Sequence, residues 1–338
     1  MPIYRCNQCG FISEDTSAPI GSKLPCARCS AASTVYDTVF YVEKLLERYV
    51  AALREVKALQ QNDPAPEAPA AQQAAPEPAP PALLDADMRN TKLLATPEQH
   101  APLQAWFQSR QIEARFEHAL VDTSGFFDDA ACLIGDGYAL FGELMERVCF
   151  AYRKSHSGVN LELGNLSQKD AQAINQLCRQ LYSHTFFARY HYQKPEKIVR
   201  LTLQAAPAMR QFFDGGWLEW YAFIELLKQT QAHGQAFSCA RGVKVVFPNE
   251  DLHELDVVCL PQGQAPVVIE CKSGEFRRDI DKYLRLRKRL GIERSRFIIC
   301  AADLTQEQAS GLSAMYELSF VNLPMLALHL AQLARLAA

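Results

Sequence analysis

The sequence predicts a multidomain chain: a small four-cysteine module with a helix, a linker, a middle α+β region, and a C-terminal α/β domain. Three observations carry this reading. Two C-x2-C pairs open the chain, a Pro/Ala-rich stretch surrounds residue 70, and beyond residue 214 the pattern runs helix, three strands, helix, strand, helix, strand, helix. At 338 residues the chain exceeds the usual size of one domain. Hydrophobic residues make up 49% and charged residues 22%, and no apolar run approaches a membrane span, so a soluble chain without a membrane partner is expected. The start, MPIYRCNQCG, lacks a charged region followed by an apolar stretch, which predicts a cytoplasmic location. The 11 cysteines are odd in number and only four are regularly spaced, an argument for reduced thiols over a disulfide framework.

Residues 1–37 form the first element. Cys6, Cys9, Cys26 and Cys29 make C-x2-C-x16-C-x2-C, two close thiol pairs at the spacing of a tetrahedral zinc site. Four thiolates close the coordination shell, so Zn2+ here is structural, and a segment this short buries too little core to fold without it. The segment resembles the zinc ribbons that head many nucleic-acid-associated and multidomain proteins, a likeness that implies no activity of its own; a protein partner is expected to dock here.

Over residues 38–60, Val39, Val42, Leu46, Tyr49, Leu53 and Val56 recur at alternating steps of three and four without Gly or Pro. That is a coiled-coil seam, which a second copy would cover in a homodimer; an amphipathic helix packed on its own chain fits the same pattern. Residues 61–95 are expected to be a linker, because positions 64–82 hold seven Pro and eight Ala and can build no core. In the middle region, 96–205, helical patterns cover 98–110, 139–154 and 168–182. Strand-like runs at Phe186–Tyr192 and Ile198–Leu203 flank QKPEK, so helix plus hairpin points to a winged-helix unit.

The last element, 206–338, carries the chemistry. GGWLEWYAFIELLKQ is helical after its glycines, with Glu219 near the start; VKVVF, LDVVCL and PVVIECK are strands. Asp256 and Glu270 then lie on neighbouring antiparallel strands, and alternation sends Glu270 and Lys272 to one face and Cys271 to the other. PVVIE is apolar on both faces, so these charges sit on a central buried strand, where they are costly without a purpose. Phosphodiester hydrolysis supplies one. Asp256, Glu270 and the backbone carbonyl of Cys271 would offer oxygen ligands to Mg2+ or Mn2+, Lys272 would orient or deprotonate the attacking water, and Glu219 would hold Lys272 or reach a second metal through water.

These residues carry a family resemblance. The helix with Glu219, the strands with Asp256 and Glu270-Cys271-Lys272, and the helix and strand that follow resemble the PD-(D/E)xK restriction-endonuclease-like fold. More narrowly, GGWLEWYAFIELL, HELDVVCL, VVIECKSGEF and DKYLRLRKRLGI resemble the nuclease domain of CRISPR-associated CARF effectors, over about residues 198 to 322. The resemblance implies a metal-dependent nuclease in antiphage defence, with Glu219, Asp256, Glu270 and Lys272 as catalytic residues. His253 stands where that family has Asn, and a four-cysteine segment replaces the CARF sensor, so no cyclic-nucleotide activation is implied.

Between Lys272 and Arg296 ten basic residues face four acidic ones, a local charge of +6 in a chain of net charge −3. Arg277, Arg278, Lys282, Arg285, Lys288 and Arg289, assigned to the helix after the catalytic strand, are the expected contacts to nucleic acid, DNA favoured. The rival reading is a catalytically inactive nucleic-acid-binding scaffold whose zinc ribbon docks a partner.

Overall fold

The computed structural model describes residues 2–39 except 7, 10 and 16, positions 42, 46 and 49, and residues 90–335 except 119–124, 233, 235 and 249–251. The chain divides into two units, residues 1–75 and 76–338. Among the described residues no helix is long and apolar enough to cross a membrane.

In the first unit, β1 (Pro2–Arg5), β2 (Ile12–Glu14), β3 (Lys23–Pro25) and β4 (Ala32–Asp37) form an antiparallel sheet of order β2-β1-β4-β3. Its apolar core is Tyr4, Ala18 and Val35, with Leu24 packed against them. That is far too little buried surface to offset the entropy of ordering the segment. Of the helix expected over 38–60, positions 38, 39, 42, 46 and 49 are described; Val39, Val42 and Tyr49 are exposed. The remainder of that helix and the expected linker up to residue 89 lie outside the described residues.

The second unit begins with a 3-10 turn, Thr91–Leu94. Then come α1 (Pro97–Gln108), β5 (Glu113–Arg115), α2 (Phe126–Asp136), α3 (Tyr138–Arg153), β6 (Gly158–Glu162), α4 (Gln168–Ser183), β7 (Phe187–Gln193), β8 (Ile198–Leu203) and the short α5 (Pro207–Gln211). The expected pattern follows: α6 (Trp217–Ala232), β9 (Phe237–Val246), β10 (Leu252–Pro261), β11 (Val267–Lys272), α7 (Ile280–Leu290), β12 (Phe297–Ala301), α8 (Gln306–Met315), β13 (Ser319–Val321) and α9 (Leu323–Arg335). A six-stranded sheet has the order β13-β12-β11-β10-β9-β5, parallel across β11, β12 and β13 and antiparallel elsewhere. A smaller antiparallel sheet has the order β6-β8-β7.

Both faces of the large sheet are buried, as the near-continuous apolar strands require. Val257, Ile269, Cys271, Ile298 and Cys300 enter one core; Val258, Val268, Phe297 and Ile299 enter the other. The first core also takes Ile134, Val148, Leu177, Leu181, Phe186 and Leu201, so it runs without a break across residue 205, where the sequence placed a boundary. The reason lies in α6, whose residues from Trp217 to Leu227 are buried except for a half-buried Glu219. A helix apolar on every side must be covered on every side: the sheet takes one face and the middle helices another. At the sheet's edge, α1 and β5 are also drawn from the expected middle region, through Leu103, Phe107, Ile112 and Ala114. The hairpin β7–β8 is as expected, with β6 as a third strand that the short run GVNLE had not marked.

Two glycines allow the close approaches that fix α6. Gly215, at φ 128°, turns the chain into the helix in a conformation that favours glycine, and a Cβ there would stand 3.0 Å from Ser273 Oγ at the end of β11. Gly135 on α2 meets the face of the Tyr221 ring so closely that a Cβ would overlap it. Gly135→Ala is therefore expected to destabilise the protein by about 1–3 kcal/mol through overpacking, read as a lower urea midpoint with an unchanged slope.

Candidate active site

The ladder between β10 and β11 runs through Val257↔Ile269. Beyond that pair the Asp256 side chain meets β11: the Cys271 N–H donates to Asp256 Oδ2 at 2.7 Å. In a strand the N–H and C=O of one residue point the same way, so the Cys271 carbonyl also faces β10. Lys272 alternates, its carbonyl accepting from the Ala302 N–H on the β12 side at 2.9 Å. The Cys271 thiol is buried against α6, 3.7 Å from the Leu218 carbonyl, a core position as expected.

Lys272 Nζ lies 3.3 Å from Asp256 Oδ2 and 3.7 Å from Glu270 Oε2. These three side chains thus meet on one face of two adjacent strands. The Glu270 side chain is only 3% exposed, and its Oε1 is buried with no hydrogen-bond partner among the described residues. A buried, unpartnered carboxylate oxygen is expensive. Burial, together with the charge of Asp256, raises the Glu270 carboxyl well above the usual carboxylate range. For Lys272, burial alone would lower the ammonium; the carboxylates of Asp256 and Glu270 outweigh it and raise it. Tyr283 on α7 closes this side, its ring centroid 5.5 Å from Lys272 Nζ.

Glu219 pairs with Arg241 rather than with Lys272, the first of the two roles that the sequence left open for it. Its Oε2 lies 3.5 Å from Arg241 on β9, whose guanidinium stacks 3.6 Å over the Trp220 ring; no ion pair joins it to Lys272. Burial first, and then the charge of Asp256, push the Glu219 carboxyl up to about 7. Arg241 and Tyr283 were missed in the sequence. The first stands where β9 extends six residues before VKVVF, and the second reads as a core residue of an amphipathic helix.

The acidic pair fits a small hard cation. Such ions take one or two carboxylates and fill the rest of an octahedron with water and substrate oxygens, and the orphaned Glu270 oxygen beside Asp256 could serve as one such ligand. The four thiols fit a different ion. Cys6 and Cys29 sulfurs are 3.4 Å apart, Cys9 and Cys26 sulfurs 3.6 Å, and all four lie within 4.8 Å of one another. A tetrahedron with Zn–S bonds of about 2.3 Å has edges of roughly 3.8 Å, so the cluster could hold a zinc ion. Its two knuckles match: the Cys6 N–H donates to the Phe11 carbonyl and the Cys26 N–H to the Ala31 carbonyl, each at 2.8 Å. Backbone donors from Cys9 bring the Cys6 thiol down to about 6, while Cys29, despite the Ala31 amide, is pushed up to about 12 by the other sulfurs.

No protein-family model matches the chain, and no curated protein does. Several solved structures are similar to it, two of which follow. Protein VC1899 from Vibrio cholerae is 16% identical with a TM-score of 0.48, over 68% of this chain and 60% of that one. Can2 from Sulfobacillus thermosulfidooxidans, in complex with cyclic tetra-adenylate, is 16% identical with a TM-score of 0.49, over 69% of this chain and 60% of that one. The chain thus spans 60% of the length of each.

The basic residues divide by position. Arg277 and Arg278 stand in a 3-10 turn before α7, not in the helix to which the sequence assigned them, and Arg277 pairs with Glu275 at 3.5 Å. Ile280, Tyr283, Leu286 and Leu290 bury one face of α7, leaving Lys282, Arg285 and Arg289 exposed at steps of three and four. Arg289 stacks 3.7 Å over Phe247, and Lys288 lies 4.0 Å from Glu317. Lys282 is near enough for its charge to act on Glu270.

Proposed function

We propose that this chain is a metal-dependent nuclease of the PD-(D/E)xK type that hydrolyses phosphodiester bonds in nucleic acid. The observation that carries the reading is the meeting of Asp256, Glu270 and Lys272 on one face of two adjacent strands, with a buried Glu270 oxygen left unpartnered. Asp256, Glu270 and the Cys271 carbonyl would hold Mg2+ or Mn2+. Bound there, the ion would offset charge on the phosphate oxygens and lower the pKa of a coordinated water. Lys272 orients that water and keeps its ammonium between the two carboxylates, Glu219 acts from the outer side, and α7 presents Lys282, Arg285 and Arg289 to the phosphate backbone.

A homodimer through residues 38–60, a protein partner at the four-cysteine unit and a place in antiphage defence are further parts of this proposal. The last rests on the sequence resemblance alone. The test is incubation of the purified protein with Mg2+ or Mn2+ on single- and double-stranded DNA and RNA. Metal-dependent cleavage of at least one substrate, DNA before RNA, is expected. Binding without cleavage would favour the inactive scaffold.

A further inference from the structure

A cavity of about 410 Å³ adjoins the candidate active site on the β9 side, with Glu219, Arg241, Gly242 and Glu254 in its wall. On β9, Arg241 faces Val257 and Val243 faces Leu255 across the ladder, which sets Gly242 opposite Asp256. Opposed residues of an antiparallel pair point to one face. Gly242 itself borders the cavity, and a Cβ there would meet Glu254 Oε1 at 3.6 Å. The backbone there has φ 65°, a conformation suited to glycine.

Three cations line the cavity: Lys92, Arg241 and the exposed Lys244. Arg241 is fixed between the Trp220 ring and Glu219. Lys92 is presented by the turn Thr91–Leu94, which buried Asp128 pins by accepting from the Thr91 hydroxyl at 2.6 Å and the Thr91 N–H at 3.3 Å. Lys92 and Arg241 stand close enough for their charges to oppose each other. Glu117, which also lines the cavity, and Asp128 offset part of this repulsion at Lys92, as Glu219 does at Arg241, and an anion between the two cations would offset the rest.

We propose that this cavity is a subsite for the phosphate of the nucleotide flanking the scissile bond, bound by Lys92 and Arg241 with Lys244 at its rim. It rests on the nuclease reading, since Glu219 in the cavity wall is close enough to Asp256 for that carboxylate's charge to act on it. Lys92 lies outside the cluster of Asp256, Glu270 and Lys272, so its substitution separates the two ideas. Cleavage of a labelled oligonucleotide is followed at saturating metal over a range of salt. Lys92→Ala is expected to raise KM about tenfold, the weight of one charge-assisted contact, while kcat stays within about twofold. The slope of log affinity against log salt should flatten by about one, as for any lost phosphate contact, and Lys92→Arg should restore it. Unchanged KM and slope in Lys92→Ala, with Asp256→Ala inactive, would overturn the subsite and leave the nuclease reading standing. A wild-type protein that neither binds nor cuts any nucleic acid overturns both.

Discussion

Asp256→Ala, Glu270→Ala and Lys272→Ala each lower metal-dependent cleavage by at least about 10²-fold, the ordinary weight of a positioned acid–base or metal-holding group, in protein that remains folded. Folding should survive because the metal-free site is a liability: two carboxyl groups are crowded together on adjacent strands, burial and the charge of Asp256 oppose ionisation of Glu270, and one Glu270 oxygen is orphaned. A second readout separates metal binding from chemistry. Mg2+ or Mn2+ at about 100 times its dissociation constant should stabilise the wild-type fold by about 2.7 kcal/mol. Asp256→Ala and Glu270→Ala should lose that gain, while Lys272→Ala keeps it. Glu219→Ala should cost less activity than any of the three, because Glu219 answers to Arg241 and stands outside the central pair. Near-wild-type cleavage by any one of the three would remove that residue from the site.

The strand order of the C-terminal part was legible because its signals are local. Period-two alternation and turn residues mark β9 to β11, and Glu270 and Lys272, two apart on one strand, must share a face. What the sequence concealed is set by distant packing. Gly135 touching Tyr221 and the core from Ile134 to Ile298 join segments more than 80 residues apart, and no periodicity marks such contacts. For the same reason β5 read as part of a separate region: three residues, EAR, carry no strand signal until they pair with Lys244–Val246. Arg241 was hidden differently. A cation ahead of an apolar strand reads as a solvated end, and only the stacking on Trp220 and the approach to Glu219 give it a role.

Loss of zinc should unfold the N-terminal unit while leaving cleavage intact. Its four strands share a core of Tyr4, Ala18 and Val35 with Leu24, so the four-cysteine cluster must supply most of the cohesion, and in such small units binding free energy is folding free energy. One equivalent of zinc per chain is expected in the full-length protein. Cys26→Ser should lose it, since the buried Cys26 also accepts from the Arg28 N–H and anchors the second knuckle. Amide signals of residues 2–37 should then collapse toward unfolded positions. The residues of the candidate active site all belong to the other unit, so kcat with saturating Mg2+ should be unchanged. Dispersed ribbon signals persisting in a zinc-free Cys26→Ser protein would show that the small apolar core suffices by itself, and would remove the metal from the account of that fold.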